Sequence, residues 1–251
     1  MQTLPSKLRV DTIAEALCEM RFTCAESAQI PELAIGKLAG AEPWSTFHKV
    51  RLPVSDIPAS MRALDPNLKH QPSLELRSTS GLALVKIGES VLSVHRLATY
   101  PGGNAFEAEV GQALDVLFAL LTEVRLDRIG LRYINVFTRE EHGVTGVSDL
   151  HQSISVAGEP LAAPVNLNYF RTHDAEHTSL VRIASPEFVG GPIAKPYTVL
   201  VDVDVFTPTD FVCRDALRAK RWLSEARVVE KREFFSLFTE RLRENLVESW
   251  S

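Results

Sequence analysis

The stretch RIGLRYINVF, Arg128–Phe137, is apolar enough for a central strand and yet carries Arg132 and Asn135 in its middle. Side chains alternate between the two faces of a sheet. Arg132 and Asn135 are three residues apart, so they lie on opposite faces of this strand. An unpaired polar group inside a protein costs free energy. We therefore expect a charged partner for Arg132 on one face and a hydrogen-bond partner for Asn135 on the other.

Two other stretches show the same mixture of one apolar face and one charged face. In EALCEMRFTC, Glu15–Cys24, the small and apolar side chains alternate with charged ones. In VLVDVDVF, Val199–Phe206, four valines share a face and two aspartates lie opposite them. Alternation of this kind is typical of half-buried strands. The charged positions next to Arg132 in this reading are Glu19, Arg21, Asp202 and Asp204.

These five charged residues, with Arg132 among them, are the predicted ligand- or partner-binding set. Three interpretations are open. The residues form a cross-strand ion network on the sheet face away from the helices, or they line a polar groove in which Arg132 binds an anionic group. In the third, Asp202 and Asp204 are metal ligands or a catalytic dyad, but no third ligand has a suitable spacing. We predict no metal site, and no catalytic residue is assigned.

The pattern of elements predicts an α+β protein. A strand, a short helix at Ile30–Gly40, a three-stranded meander and a long helix from about Ala105 fill the first half. Residues 42–72 carry several prolines and are predicted to be mostly irregular, with room for one strand at STFHKVRLPV. The second half repeats this order of strands and helices. It includes a short helix at VSDLHQSI and a helical stretch from Val212 to Glu248 that is broken near Arg227–Glu230.

We expect pseudo-duplicated β-α-βββ-α units that form one large curved, mostly antiparallel sheet of about eight strands. Two long helices lie on one face. The chain is predicted to be a single domain, 1–251, with halves of about 11–125 and 126–248.

Composition limits the classes of function. The 251 residues are 45% hydrophobic and 24% charged, with a net charge of −5, so a nucleic-acid partner is not expected. The three cysteines include no CxxC pair, which favours reduced thiols in a cytoplasmic protein. No apolar run approaches the ~20 residues of a membrane span, and no membrane association is predicted.

Known catalytic motifs are absent from the sequence. There is no P-loop, GxGxxG, GxSxG or HExxH, so no cofactor is predicted. HDAEH, His173–His177, has two histidines four apart, but its turn-like surroundings favour a hairpin tip over a metal site. His95 is interpreted as a hydrogen-bonded histidine of the sheet rather than a general base.

Four stretches carry a resemblance to a known family. LDRIGLRYINVF, TVLVDVDVF, EKREFFSLFTERL and the opening DTIAEALCEMRF together resemble a sporadically distributed family of prokaryotic proteins without an established activity. Thr12-Ile13 replaces the proline pair of that family, and Phe106 replaces its tryptophan. The resemblance implies a bacterial cytosolic protein and supplies no catalytic residues. Patchy distribution is typical of accessory and defence-linked genes, which is an association and not a mechanism.

In pattern alone, the doubled unit is similar to the SOUL and GyrI-like ligand-binding proteins, which use the concave side of the sheet as a pocket. We predict a non-catalytic binding protein that recognises a partner protein or a small ligand, as an accessory, defence-linked or antitoxin-like component. One alternative is a hydrolase or nucleotide-modifying enzyme that uses the carboxylates of the polar sheet face. Another is a structural or assembly subunit, and with it a homo-oligomer, joined through the helices or a sheet edge.

Overall fold

The computed structural model describes residues 4–25, 30–98, 100–121, 123–160, 164–189 and 196–250. The strands are β1 (Pro5–Leu8), β2 (Ile13–Thr23), β3 (His48–Arg51), β4 (Leu74–Arg77), β5 (Ala83–Ile87), β6 (Val91–Leu97), β7 (Arg125–Phe137), β8 (Ser155–Val156), β9 (Glu159–Pro160), β10 (Asn166–Thr172), β11 (Thr178–Ala184), β12 (Val199–Phe206) and β13 (Val247–Trp250). The α-helices are α1 (Ile30–Ala39), α2 (Ala59–Leu64), α3 (Gly103–Leu120), α4 (Arg139–His142), α5 (Ala216–Ser236) and α6 (Glu240–Leu246).

One sheet of nine strands forms the centre of the protein, in the order β10-β11-β12-β7-β2-β6-β5-β4-β3. All neighbouring strands in it are antiparallel. The expected α+β fold with a large, mostly antiparallel sheet is confirmed. The ninth strand is β3, which the proline-rich stretch 42–72 supplies by pairing with β4. That stretch also contains the helix α2, where mostly irregular structure was expected.

The order of strands repeats on either side of the central β2–β7 pair. On one side β2 is followed by β6, β5 and β4, and on the other β7 is followed by β12, β11 and β10. In both series the first strand lies at the centre and the last three follow in reverse chain order. Each series ends in a long helix, α3 or α5, and these two helices pack against each other.

The core lies between the sheet and the long helices. Alternate residues of the central strands point into it, and Cys18, Met20, Val201 and Val203 are fully buried there. The pattern of alternation in the sequence therefore gave the correct inward face for these strands. A second, smaller apolar cluster around Val136 lies on the other face of the sheet.

The C-terminal region differs from the prediction. Helix α5 runs without a break through Arg227–Glu230 and ends at Ser236. The break comes before α6, where the Thr239 hydroxyl accepts a hydrogen bond from the Leu242 amide. Residues Val247–Trp250 then form β13, which pairs with β1 instead of continuing the helix. The expected helix in VSDLHQSI is a single 3₁₀ turn, Val147–Asp149.

Across the part of the chain that the structure describes, every helix is too short or too polar to span a lipid bilayer.

Candidate functional site

The sheet face away from α3 and α5, here called the open face, carries the five charged residues singled out from the sequence. Arg132 on β7 binds Asp202 on β12 through two hydrogen bonds, Nε to Oδ1 at 2.8 Å and Nη2 to Oδ2 at 2.5 Å. The Arg132 side chain is 39% exposed and that of Asp202 is 8% exposed. A bidentate pair of this kind satisfies the carboxylate with a fixed geometry.

A sixth residue, Arg128, links the remaining charges. Its guanidinium lies 3.2 Å from a carboxylate oxygen of Glu19 and 3.3 Å from one of Asp204. Arg21 also binds Glu19, at 2.8 Å. Burial raises the pKa of Asp204, although Arg128 and Arg132 act in the opposite direction.

The structure thus brings the five predicted residues together and adds Arg128, which the sequence analysis did not single out. The signal for Arg128 was its position four residues before Arg132, on the same face of one strand. Whether these residues bind a ligand or a partner stays a prediction.

His95 has two partners on the same open face. Its Nδ1 lies 2.8 Å from a carboxylate oxygen of Glu15, and its Nε2 lies 2.8 Å from the Ser93 hydroxyl. Burial acts to raise the pKa of Glu15, but the hydrogen bond and charge of His95 lower it overall. A serine, a histidine and a carboxylate in this order resemble a nucleophile triad. Ser93 is 5% exposed and lies within β6, between β2 and β5. We therefore interpret the hydrogen bonds that join Ser93, His95 and Glu15 as structural.

HDAEH forms the turn between β10 and β11, as expected. His177 is buried, stacks on Trp222 at a centroid distance of 5.4 Å, and lies 2.9 Å through Nδ1 from Asp174. Among the described residues, no group of three or more histidine, cysteine or acidic side chains is arranged to bind a metal.

A cavity of about 870 Å³, here called the inter-helix pocket, lies on the helix side of the sheet. Its walls come from β1, from the turn and first residues of α3, and from the C-terminal half of α5, while β7 forms its floor. The polar and charged side chains that line it include Lys7, Asp11, Tyr100, Tyr133, Asn135, Arg227, Glu230 and Lys231.

Asn135 and Tyr133 project from β7 into this pocket. Asn135 is 2% exposed, and its Oδ1 accepts a hydrogen bond of 2.8 Å from the Thr12 hydroxyl. Its Nδ2 has no partner among the described residues. The Tyr133 hydroxyl lies 2.8 Å from the Tyr100 hydroxyl. Burial raises the pKa of Tyr133 and raises that of Tyr100 to about 12, so both hydroxyls stay neutral.

Glu230 supplies a buried carboxyl group to the pocket. It is 5% exposed, and no described residue donates a hydrogen bond to it. Burial raises its pKa to about 8, against the opposing charges of Lys231 and Arg227. The group is therefore mostly a neutral acid at neutral pH. Strongly shifted groups of this kind cluster at functional sites.

Arg227 joins α5 to the start of α3 at the rim of the pocket. Its Nη1 donates to Glu107 at 2.7 Å and its Nη2 to Asn104 at 2.8 Å. The guanidinium lies so close to Gly103 that a Cβ there would come within 2.8 Å of it. Gly102 precedes the helix with a φ of 91°, a conformation that favours glycine.

Lys231 lies beside this rim and is half-buried, with no acidic partner within 4.0 Å in the described part of the chain. Burial lowers its pKa, and the neighbouring charge of Arg227 acts in the same direction. Lys7, by contrast, binds Glu248 on β13 at 2.9 Å.

No protein-family model and no curated protein matches the chain. The family resemblance therefore stays a prediction from the four quoted stretches.

Proposed function

We propose that the protein is a non-catalytic binding protein and that its ligand is a small organic molecule held in the inter-helix pocket. The observation that carries the proposal is the unpaired amide nitrogen of Asn135, buried at the floor of a cavity of about 870 Å³. A buried donor without an acceptor costs about 1–3 kcal/mol. A ligand acceptor at this point would recover that free energy.

Size and lining of the pocket fit the same proposal. Sites for small molecules occupy roughly 300–1,000 Å³ and combine apolar walls with a few polar groups. Here the apolar part comes from the side chains of Leu8, Ile13, Pro101, Phe234 and Phe235. The polar part includes the tyrosine pair, Asn135, Glu230 and the charged side chains of Lys7, Asp11, Arg227 and Lys231.

The proposal is tested by blocking the pocket mouth. Ala105 lines the pocket and is exposed on α3, so Ala105→Trp fills the opening without disturbing the core. Ala108 is exposed one turn further along and does not line the pocket, which makes Ala108→Trp the matched control. Both variants and the natural protein are screened against a metabolite collection by thermal denaturation, because a ligand at about 100 times its Kd stabilises by about 2.7 kcal/mol.

We expect a compound that stabilises the natural protein and the Ala108→Trp variant but not Ala105→Trp. The compound should also be recovered chemically unchanged, as a non-catalytic binder requires. Equal stabilisation of both variants would place binding elsewhere, and a collection that stabilises none of the three proteins would count against a small-molecule function.

A protein partner bound on the open face is the second candidate, and it would suit a cytoplasmic, accessory or defence-linked component. The observation in its favour is Phe170 on the edge strand β10, which is 70% exposed on the same face as the ion network. Purification from the host, followed by mass spectrometry, tests it. A stoichiometric partner that is retained by Ala105→Trp and lost from Phe170→Ser would favour this candidate over the pocket.

A further inference from the structure

We propose that the inter-helix pocket takes an organic oxyanion, a ligand whose carboxylate or phosphate group lies at the start of α3 and whose apolar body lies against the aromatic rings. The inference rests on the pocket being a ligand site, as proposed above. It adds the charge of the ligand, the place of its charged group, and the residues that recognise it.

The start of α3 presents free backbone donors to the pocket. Helix geometry leaves the amides of Gly103, Asn104 and Ala105 without an intrahelical acceptor, and Gly102 before them provides no side-chain cap. All four residues line the pocket. The two glycines have no side chains to keep a ligand away from the backbone, and the dipole of the 18-residue helix favours negative charge here.

A second observation points to the same class of ligand from the opposite wall. The Nδ2 of Asn135 can only donate hydrogen bonds, is buried, and has no acceptor in the described part of the chain. The Tyr100–Tyr133 pair uses one of its two hydroxyl hydrogens within the pair, so the other is free to donate. The groups in the pocket that still lack a hydrogen-bond partner are therefore mainly donors.

The charged side chains around the pocket also favour an anionic ligand. Three cationic side chains, Lys7, Arg227 and Lys231, line it against the two acids Asp11 and Glu230. Lys7 and Arg227 are each paired with a glutamate outside the lining, which leaves Lys231 as the described cation available to a ligand. A cationic ligand would meet these same positive charges.

Glu230 does not oppose an anion at neutral pH. The groups that face it are Arg227 and Lys231 on α5, Tyr133 on β7 and Tyr100 before α3, and the charge of Asp11 also acts on Tyr100. Burial raises the pKa of Glu230 more than the two cations lower it. With a pKa of about 8, the carboxyl group stays mostly protonated at neutral pH. In that form Glu230 is a hydrogen-bond donor, and it becomes repulsive to an anion as the pH rises through about 8.

The experiment uses one arylalkyl body that ends in a carboxylate, a phosphate, a hydroxyl or an ammonium group, measured by isothermal titration calorimetry at neutral pH. Lys231→Gln removes the available cation, and Arg221→Gln removes one positive charge from an exposed position of the same helix as the matched control. Asn135→Asp keeps the acceptor for Thr12 and replaces the free donor by an oxygen.

We expect the carboxylate or the phosphate to bind at least about tenfold more tightly than the hydroxyl and the ammonium compounds. Lys231→Gln should weaken oxyanion binding about fivefold and leave hydroxyl binding unchanged, while Arg221→Gln should change neither. Asn135→Asp should weaken oxyanion binding more than hydroxyl binding. In the natural protein, oxyanion affinity should fall above about pH 8, and this fall should be smaller in Glu230→Gln, where only the loss of charge at Lys231 contributes.

Equal or tighter binding of the ammonium or hydroxyl compound would overturn the oxyanion assignment, and so would equal effects of Lys231→Gln and Arg221→Gln. If such binding is still lost in Ala105→Trp, the pocket remains a ligand site and the assignment of charge alone fails. If no member of the set binds and the metabolite screen is also negative, the proposed function fails with it. The relative affinity of carboxylate and phosphate identifies which oxyanion the pocket prefers.

Discussion

The two faces of the central sheet treat their polar residues in opposite ways. On the open face, the charges are satisfied by one another: Arg132 by Asp202, and Arg128 by Glu19 and Asp204. On the helix face at the pocket, the Asn135 amide nitrogen lacks a partner and the Glu230 carboxyl group accepts no hydrogen bond from a described residue. We therefore interpret a buried polar residue that lacks a partner as a sign of a binding site, and one whose partner is a neighbouring strand as part of the sheet architecture.

The largest effect should come from Glu230, whose carboxyl group has a pKa of about 8 when folded and an ordinary value near 4.5. The folded protein therefore holds a proton that the unfolded chain has released, so the free energy of unfolding falls as the pH rises from about 4.5 to about 8. Glu230→Gln should remove this fall and stabilise the protein by on the order of 3 kcal/mol at about pH 8.5, with little effect near pH 4.5. Urea denaturation at a series of pH values measures it.

Glu225→Gln is the control for that series, because it makes the same change at an exposed position of α5. It should leave the pH dependence of the natural protein intact. Parallel pH profiles for the natural protein and Glu230→Gln would mean that water or a counter-ion satisfies Glu230, and the contrast between the two faces would be weaker than stated above.

A smaller effect is expected when a satisfied pair on the open face is broken. Arg132→Ala leaves the nearly buried Asp202 without its two hydrogen bonds, and the half-exposed position of Arg132 limits the cost to about 2 kcal/mol. Arg21→Ala is the control, since Glu19 keeps Arg128 as a partner, and its cost should stay below about 1 kcal/mol. Similar losses from the two variants would show that the open face does not depend on bidentate pairing.

The smallest effect is expected at the rim of the pocket. A methyl group at Gly103 would displace the Arg227 guanidinium and weaken its bonds to Glu107 and Asn104, so Gly103→Ala should cost about 1 kcal/mol. Gly36→Ala in α1 meets no atom within 4 Å and should instead stabilise by about 0.5–1 kcal/mol. Thermal denaturation compares the two. A stabilising Gly103→Ala would show that Arg227 moves freely and does not hold the rim in place.

Much of the sheet could be predicted from the sequence because strand periodicity is a local property. Alternation in RIGLRYINVF, EALCEMRFTC and VLVDVDVF gave the correct faces, including the placement of Asn135 toward the helices. The predicted break near Arg227–Glu230 was wrong. In the structure Glu230 lies on the buried stripe of α5, four residues after Ala226 and four before Phe234.

The pocket could not be predicted in the same way, because its walls come from four segments far apart in the sequence. Two local signals pointed toward it. Glu230 occupies an apolar position of a helical repeat, and the glycine pair Gly102-Gly103 stands where α3 begins, without a capping side chain. Neither signal shows that the two positions meet, since that depends on how α3 and α5 pack.

The pairing of β1 with β13 determines when, during protein synthesis, one wall of the pocket can form. β1 lines the pocket and is held by β13, through the backbone and through contacts such as Lys7 with Glu248. More than 200 residues separate these strands in the chain, so β13 can pair with β1 only after every strand of the nine-stranded sheet has been synthesised. A nascent chain that ends before β13 would hold the central β2–β7 pair without the strand that pairs with this wall of the pocket.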